Sequence, residues 1–257
     1  MGAILSFLLI KLTGVDREVI EKWLYVIVGL TFISGILGTG HHYYWIGTPA
    51  YWKMVGGVFS GLEPLAFLGM ALYTVAMSRK GGKTPENRPA LLWTVGCGIM
   101  SFVGAGFLGF AHTLPQVNIW THGTLVTAMH GHLAFWGAYA MVVLAMISYA
   151  LPQLTGRKLY GHWSAEWAFW ISNIGMLGMT GAFAVAGISQ VYLERRMGMD
   201  FLATQEVISI HFVGLLMAAT LFTTGISLYI WNFIGHGLPN DEVLRQTEAT
   251  HEQMASK

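Results

Sequence analysis

Two pairs of histidines stand in long runs of sequence that contain no Asp, Glu, Lys or Arg. His41 and His42 are adjacent in GTGHHYYWIG, and a single glycine separates His130 from His132 in TAMHGHLAFW. An ionisable side chain inside an apolar span is costly, so it indicates function by default. Neutral imidazole is a common ligand of iron, copper and zinc. The four histidines are therefore candidate metal ligands, and the alternative is that they form hydrogen bonds between helices.

The spacing within each pair predicts how many centres the pair serves. Residues i and i+2 of an α-helix lie about 200° apart around its axis, so His130 and His132 face opposite sides and suit two separate cofactors. Gly131 has no side chain and allows a flat ring to approach. Adjacent residues differ by only about 100°, so His41 and His42 can both turn toward one ion.

Glu63 is a lone carboxylate in the apolar stretch VFSGLEPLAF. A carboxylate deep in such a stretch needs a proton, a nearby cation or a water-filled gap. Counted from the side on which His41 and His42 end their span, His130 lies about 13 Å deep and Glu63 lies at a similar depth. We therefore expect these side chains to meet in one site.

The other histidines carry a weaker functional signal. His112 and His211 fall inside apolar spans and are interpreted as hydrogen-bonded packing residues. The predicted loops and the tail contain His162, His236 and His251, which are interpreted as solvated side chains.

The composition is that of a membrane protein. The 257 residues are 54% hydrophobic and 11% charged, with a mean hydropathy of +0.54. A soluble domain has roughly 25% charged residues. The net charge of +1 gives no reason to expect a nucleic-acid partner, and the single cysteine, Cys97, excludes a disulfide framework within the chain.

Apolar runs bounded by charges predict one all-α, polytopic transmembrane helix bundle over residues 1–257. The predicted spans cover residues 20–46, 53–78, 89–113, 121–152, 166–193 and 206–235, with a break near Leu114-Pro115 and a tail at 236–257. The apolar run from Ala3 to Ile10 is too short to span, because Lys11 follows it. We interpret this run as the end of a truncated N-terminal helix, and expect the chain to be a fragment or to start at an internal methionine.

The basic residues predict the orientation, since loops on the cytoplasmic side carry the excess of Lys and Arg. One side of the bundle holds three of them, namely Lys53, Arg195 and Arg196. The other side holds eleven, namely Lys11, Arg17, Lys22, Arg79, Lys80, Lys83, Arg88, Arg157, Lys158, Arg245 and Lys257. The C-terminal tail is therefore predicted to be cytoplasmic.

The segments GTGHHYYWIG, VFSGLEP and THGTLVTAMHGHLAFWGAY together resemble the large catalytic subunit of cytochrome-c-dependent nitric oxide reductase, a member of the haem-copper oxidase superfamily. The resemblance runs from KLTGVDREVIEKWLY through nearly the whole chain and weakens in the tail. It implies a fold like that of haem-copper oxidase subunit I, of which this chain is the C-terminal half, in the bacterial cytoplasmic membrane.

The resemblance also implies roles for individual residues. His130 is the expected proximal ligand of a high-spin haem b, and His132 is an expected axial ligand of a low-spin haem b. His41 and His42 are expected ligands of a non-haem iron. Two further roles are implied for Glu63, which lies near that iron and helps to supply protons, and for His122, which lies near the haem propionates.

The implied reaction is the reduction of two NO molecules to N2O and water. The implied partners are a membrane-anchored cytochrome c subunit, the N-terminal half of the same subunit, the substrate nitric oxide and membrane lipid. A further histidine and a glutamate for the iron, and a second axial haem ligand, are expected upstream of the chain. The isolated chain is therefore expected to be inactive.

Three alternatives remain open from the sequence. An oxygen-reducing terminal oxidase subunit I is disfavoured because LTFISGILGTG, before the histidine pair, lacks the tyrosine of one oxidase branch, and because Glu63 is present. A non-catalytic, truncated haem-binding fragment would lack the upstream ligands. A transporter or assembly factor would use the histidines structurally and bind no haem. The choice between cytochrome c and quinol as donor also stays open, although GTGHHYYWIG favours cytochrome c.

Overall fold

The computed structural model describes residues 1–157 and 162–237, and within these two ranges it contains helices and loops but no strand. Six helices there are long and apolar enough to cross a membrane. The chain is therefore an all-α, multi-pass membrane protein, as its composition predicts. The tail from residue 238, with His251, and the side chain of His236 lie outside the described part of the chain.

Both ends of every predicted span lie within four residues of the corresponding ends of an observed membrane-spanning helix. The N-terminal helix α1 is too short to cross a bilayer. The helices are α1 (Gly2–Thr13), α2 (Arg17–Tyr43), α3 (Ala50–Lys80), α4 (Arg88–Thr113), α5 (Pro115–Thr121), α6 (Leu125–Thr155), α7 (Trp163–Arg196), α8 (Phe201–Ile208) and α9 (Ile210–Gly237).

The short helices α5 and α8 were not predicted, and α5 moves the start of the fourth span from 121 to 125. The chain turns at Leu114, as the Leu114-Pro115 pair predicts, but it then forms a separate helix before α6. Gly123, in the turn between α5 and α6, has a φ of +74°. Thr124 then caps α6 by accepting a hydrogen bond from the Val126 amide. We call the side of Lys53 and Arg195 the outer side, and α5 lies there.

Helices α4 and α6 cross so closely that glycine is required at two positions. A Cβ at Gly104 would lie 2.5 Å from the backbone of α6, and a Cβ at Gly137 would lie 2.5 Å from the backbone of α4. Each glycine lies in a π-helical segment, Phe102–Leu108 in α4 and Trp136–Ala140 in α6. Such segments shift the backbone hydrogen-bond pattern and are frequent at functional sites.

Gly104→Ala and Gly137→Ala are each expected to destabilise the bundle by about 1–3 kcal/mol, because the new methyl group meets backbone that cannot move aside alone. The measurement is the thermal unfolding midpoint of the full-length subunit in detergent. Gly29→Ala is the matched control, since a Cβ there has no atom of the described residues within 4 Å. Equal midpoints for the Gly104 and Gly29 variants would contradict the close crossing.

The inner half of the bundle is packed around Trp93, which is fully buried. Its ring makes edge-to-face contacts with Trp136, Phe169 and Tyr229 at centroid distances of 6.0, 5.1 and 5.7 Å. Aromatic pairs favour this geometry. The inner half is therefore tightly packed, and the two large histidine-lined cavities lie toward the outer side.

Candidate functional site

A first cavity, of about 550 Å³, opens between α2, α3, α4 and α6. Its polar lining side chains belong to Thr31, Ser34, His41, His42, Trp45, Glu63, His112, Asn118, His122, Thr127, His130 and Tyr139. The structure thus brings His41, His42, Glu63, His122 and His130 to one cavity. His132 does not line it.

The backbone of α4 holds His130 in place. Its Nδ1 donates a hydrogen bond to the Gly104 carbonyl at 2.9 Å, within the π-helical segment. Gly109 also lies against the ring, since a Cβ there would be 3.1 Å from the His130 Cε1 atom. With the proton on Nδ1, the Nε2 atom keeps a free lone pair for a metal.

His132 lines a second cavity, of about 700 Å³. Its Nδ1 donates to the Ala128 carbonyl at 2.8 Å, and its ring lies 4.8 Å from that of Phe183, so Nε2 is again left free. The remaining lining residues are Ala128, Gly131, Phe135, Trp136, Ala140, Met176, Phe222 and Ile226. One helical turn of α6 therefore presents an imidazole to each of two cavities, on opposite faces.

His41 and His42 lie in a 3₁₀ turn that ends α2, with ring centroids 4.1 Å apart. A Cβ at Gly40 would clash with the Trp52 carbonyl and with Gly56, so α3 packs directly on this turn. Within residues 1–157 and 162–237, no group of three or more His, Cys, Asp or Glu side chains is arranged to hold a metal ion. A metal at His41 and His42 would need ligands from outside the described residues.

Ser60 sets the orientation of His41. The Ser60 hydroxyl is fully buried and lies 2.7 Å from the Gly56 carbonyl, to which it donates its one proton. Its oxygen must then accept the proton of His41 Nδ1, which is 2.6 Å away. The His41 Nε2 atom is left free in the same way as those of His130 and His132.

Ser60→Ala is expected to lower the metal affinity at His41 and His42 by about 10–100-fold, the usual cost of losing an orienting partner of a metal ligand. The measurement is non-haem iron per full-length subunit, titrated against a competing chelator. Ser78→Ala is the matched control, because among the described residues that hydroxyl bonds only the Val75 carbonyl. Equal iron retention in both variants would mean that Ser60 does not position the ligand.

Glu63 begins the second part of α3. A turn at Gly61 and Leu62 interrupts the helix, and Pro64 follows in the first helical turn, where its missing N–H costs nothing. The Glu63 side chain is half-buried, and no cation of the described residues lies within ion-pair distance of it. The turn thus places the Glu63 carboxylate, which has no ion-pair partner among the described residues, at the first cavity.

The outer rim of the first cavity is held by a network around His122. The Trp45 indole stacks on the His122 ring at 5.1 Å, and its Nε1 donates to the Asn118 side chain at 2.6 Å. The Arg195 guanidinium contacts the His122 carbonyl at 3.4 Å. The turn that follows α2, helix α5 and the end of α7 are therefore joined at this rim.

His112 is the residue at this site that sequence reasoning missed. Its ring centroid lies 5.3 Å from that of His130. The prediction of a hydrogen-bonded packing residue is wrong for its Nε2 atom, which is buried and has no hydrogen-bond partner in the described structure. The available signal was depth, since His112 stands just before the Leu114-Pro115 break, at the level of the other candidates.

The two cavities fit tetrapyrrole cofactors. Each is large and contains an imidazole with an uncommitted Nε2 atom, and the second is lined mainly by apolar residues.

The chain is similar to several curated proteins. It is 46% identical, over 245 residues, to a nitric oxide reductase subunit of Stutzerimonas stutzeri, and this match covers 92% of the chain and 52% of the relative. It is 26% identical to a cytochrome c oxidase subunit 1 homolog of Agrobacterium tumefaciens, over 60% of this chain and 29% of the relative. The cytochrome c oxidase subunit 1 of Rhodobacter capsulatus gives the same identity and coverage.

The chain spans about half the length of the most similar of these relatives, at 52%. The family model described as cytochrome c and quinol oxidase polypeptide I matches residues 1–236, which is almost the whole chain. Together with the six membrane-spanning helices, this match assigns the fold and the family. The chain belongs to the cytochrome c and quinol oxidase polypeptide I family.

Proposed function

We propose that the chain is part of the catalytic subunit of a nitric oxide reductase, an oxidoreductase that converts two NO molecules, two electrons and two protons into N2O and water. The observation that carries this proposal is the pair His130 and His132, which present free Nε2 atoms to two cavities from one helical turn. The identity of 46% to a nitric oxide reductase subunit supports the choice of reaction.

The proposed cofactors are two haem b groups and a non-haem iron. His130 would hold the high-spin haem, His132 the low-spin haem, and His41 with His42 the iron. When bound, these groups supply NO binding and one-electron redox chemistry. The remaining ligands would come from the N-terminal half of the same subunit, which is a proposed partner.

The residues of this chain bring the reactants together and connect the two cavities. His41 and His42 face the cavity that His130 lines, so a site between them holds two small molecules at close range. Only Gly131 separates His130 from His132 along α6. Electrons therefore have a path of a single helical turn from the second cavity to the first.

Glu63 is the proposed proton donor at this site. It is the one carboxylate that lines the first cavity in the described part of the chain, and no cation there neutralises it. A carboxyl group in this position can pass protons to the reacting oxygen. The absence of a tyrosine from LTFISGILGTG also fits chemistry that breaks no O–O bond.

The proposed electron donor is a membrane-anchored cytochrome c subunit on the outer side, with the C-terminal tail in the cytoplasm. The excess of Lys and Arg on the inner side supports this orientation. Membrane lipid would cover the exposed apolar faces of α2 and α9.

The test is to purify the native subunit with its bound partners and supply reduced cytochrome c. NO consumption with one N2O formed per two NO supports the proposal. Oxygen consumption with little NO turnover would identify an oxygen reductase instead. Absence of bound haem would favour a transporter or assembly factor, and haem without turnover would favour a non-catalytic haem-binding subunit.

A further inference from the structure

We propose that a pocket at the inner side of the bundle binds the headgroup phosphate of an anionic phospholipid, with Lys11 and Lys83 as its cationic ligands. The pocket has a volume of about 470 Å³ and shares no lining residue with the two histidine-lined cavities. It lies between the end of α1, the loop from α3 to α4 and the inner end of α6. The inference is independent of the proposed function, because it needs neither haem nor iron.

The pocket is built by the loop between α3 and α4, which packs on the end of α1. The Lys83 amide donates a hydrogen bond to the Thr13 carbonyl at 3.1 Å, and a Cβ at Gly81 would clash with Thr13. Gly14 ends α1 with a φ of +69°, and a Cβ there would lie 3.0 Å from the Lys83 Cδ atom. The loop is therefore held in place, and it brings Lys83 to the same pocket as Lys11.

The two lysines have no counter-ion within the described part of the chain. No carboxylate there lies within ion-pair distance of either ammonium group. Glu86 lines the pocket as well, so two lysines against one glutamate leave one positive charge. Basic pockets between helices at the cytoplasmic side of a membrane bind the headgroups of anionic lipids. An anionic headgroup therefore complements the charge of this pocket, whereas a cationic ligand does not.

The Lys11 ammonium group turns away from the inner surface. Its Nζ atom lies 5.9 Å from the centroid of the Phe7 ring, which is one helical turn farther from that surface along α1. A lysine at the end of a membrane helix normally extends its charge toward water. The ring is a weak partner at this distance, which is the limit of a cation–π contact. An anion at this level, where headgroup phosphates lie, supplies the partner that the ammonium group lacks.

Neutral donors and an apolar track complete the site. The Tyr149 hydroxyl and the Gln153 amide line the pocket from α6 and have no hydrogen-bond partner among the described residues. Ile4, Phe7 and Lys11 share one face of α1, and the two apolar side chains are 39% and 40% exposed. The Phe7 ring also contacts the Tyr149 ring edge-to-face at 5.7 Å. An acyl chain can therefore lie along α1 while its headgroup fills the pocket, which favours a phospholipid over free phosphate.

The test uses the full-length subunit with its bound partners, delipidated in detergent and titrated with phosphatidylglycerol or phosphatidylcholine in native mass spectrometry. The first phosphatidylglycerol should bind about tenfold more tightly than the first phosphatidylcholine. The double variant Lys11→Gln with Lys83→Gln should weaken phosphatidylglycerol binding by about 10–30-fold, because two attractive charges are lost. Lys11→Arg with Lys83→Arg keeps both charges and should keep the affinity within about threefold.

Lys22→Gln with Lys80→Gln is the matched control, because both are exposed lysines of the inner side that do not line the pocket. It removes the same charge and should leave the affinity within about twofold. Equal weakening in the two glutamine variants would overturn the inference, since the inner surface as a whole would then attract the lipid.

Two further outcomes would overturn the assignment. Unchanged phosphatidylglycerol binding in the Lys11 and Lys83 glutamine variant would mean that the lipid binds elsewhere, as it must if the N-terminal half of the subunit covers the pocket. The same titration with inorganic phosphate separates the two sources of the anion. Phosphate binding that depends on these lysines, without a preference for phosphatidylglycerol over phosphatidylcholine, would make the pocket a site for the free ion.

Discussion

His132→Leu in the full-length subunit is expected to lose one haem and keep the other, and His130→Leu is expected to lose the opposite one. The reason is that the two imidazoles line separate cavities, so removing one leaves the other ligand and its hydrogen bond intact. We expect the haem content to fall from about two to about one per subunit in each variant, with NO reduction lost in both. Haem is quantified as the pyridine adduct, and the absorption spectrum shows which spin state remains.

His211→Leu is the control for this pair, because His211 also lies in a membrane-spanning helix but lines neither cavity, and it should keep both haems and full turnover. The decisive feature is the crossed pattern, with low-spin bands missing from one variant and high-spin bands missing from the other. Loss of the same haem from both variants would mean that the two histidines serve one centre. Retention of both haems in either variant would remove that histidine from the set of ligands.

Much of the architecture is accessible from the sequence because a bilayer imposes strong rules. A span needs about 20 apolar residues, so runs without charge predict the six crossing helices and the break at Leu114. The period of the α-helix likewise predicts that His130 and His132 face different sides. Counting residues from one membrane side predicts that His41, Glu63 and His130 meet in one site, and the structure places all three on one cavity.

The parts that could not be predicted depend on contacts between helices. Ser60 orients His41 only because the 3₁₀ turn of α2 packs against α3, and nothing in the local sequence of Ser60 indicates this. The Gly104 carbonyl that accepts the hydrogen bond from His130 lies in a π-helical segment of α4, which the local sequence does not indicate. The helical period gives each residue a face, but it does not give the neighbour that the face meets.

His112 shows the same limit in a different form. A single histidine in an apolar span satisfies the same pattern whether it packs or binds, so the packing interpretation was the simpler one. The distinguishing fact is an absence, namely that its buried Nε2 atom has no partner in the described ranges. An unmet hydrogen bond becomes visible only when all surrounding atoms are in place.

Glu63→Gln is expected to reduce NO turnover by about 10²–10⁴-fold while both haems and the non-haem iron are retained. Glutamine has the shape of glutamate and can still form hydrogen bonds, but it cannot release and regain a proton near neutral pH. The N2O reaction consumes two protons, so a step that uses Glu63 as donor should slow while electron entry does not. The measurements are steady-state NO consumption, the rate of haem reduction by cytochrome c, and metal content by mass spectrometry.

Glu206→Gln is the matched control, because Glu206 is an exposed carboxylate in α8 on the outer side and makes no ion pair among the described residues. It should leave all three measurements unchanged. Loss of iron from Glu63→Gln would make Glu63 part of the metal site, and normal turnover would exclude it as the donor. Slow turnover with normal haem reduction and full metal content isolates proton delivery, because the carboxylate is then the single chemical difference between the two proteins.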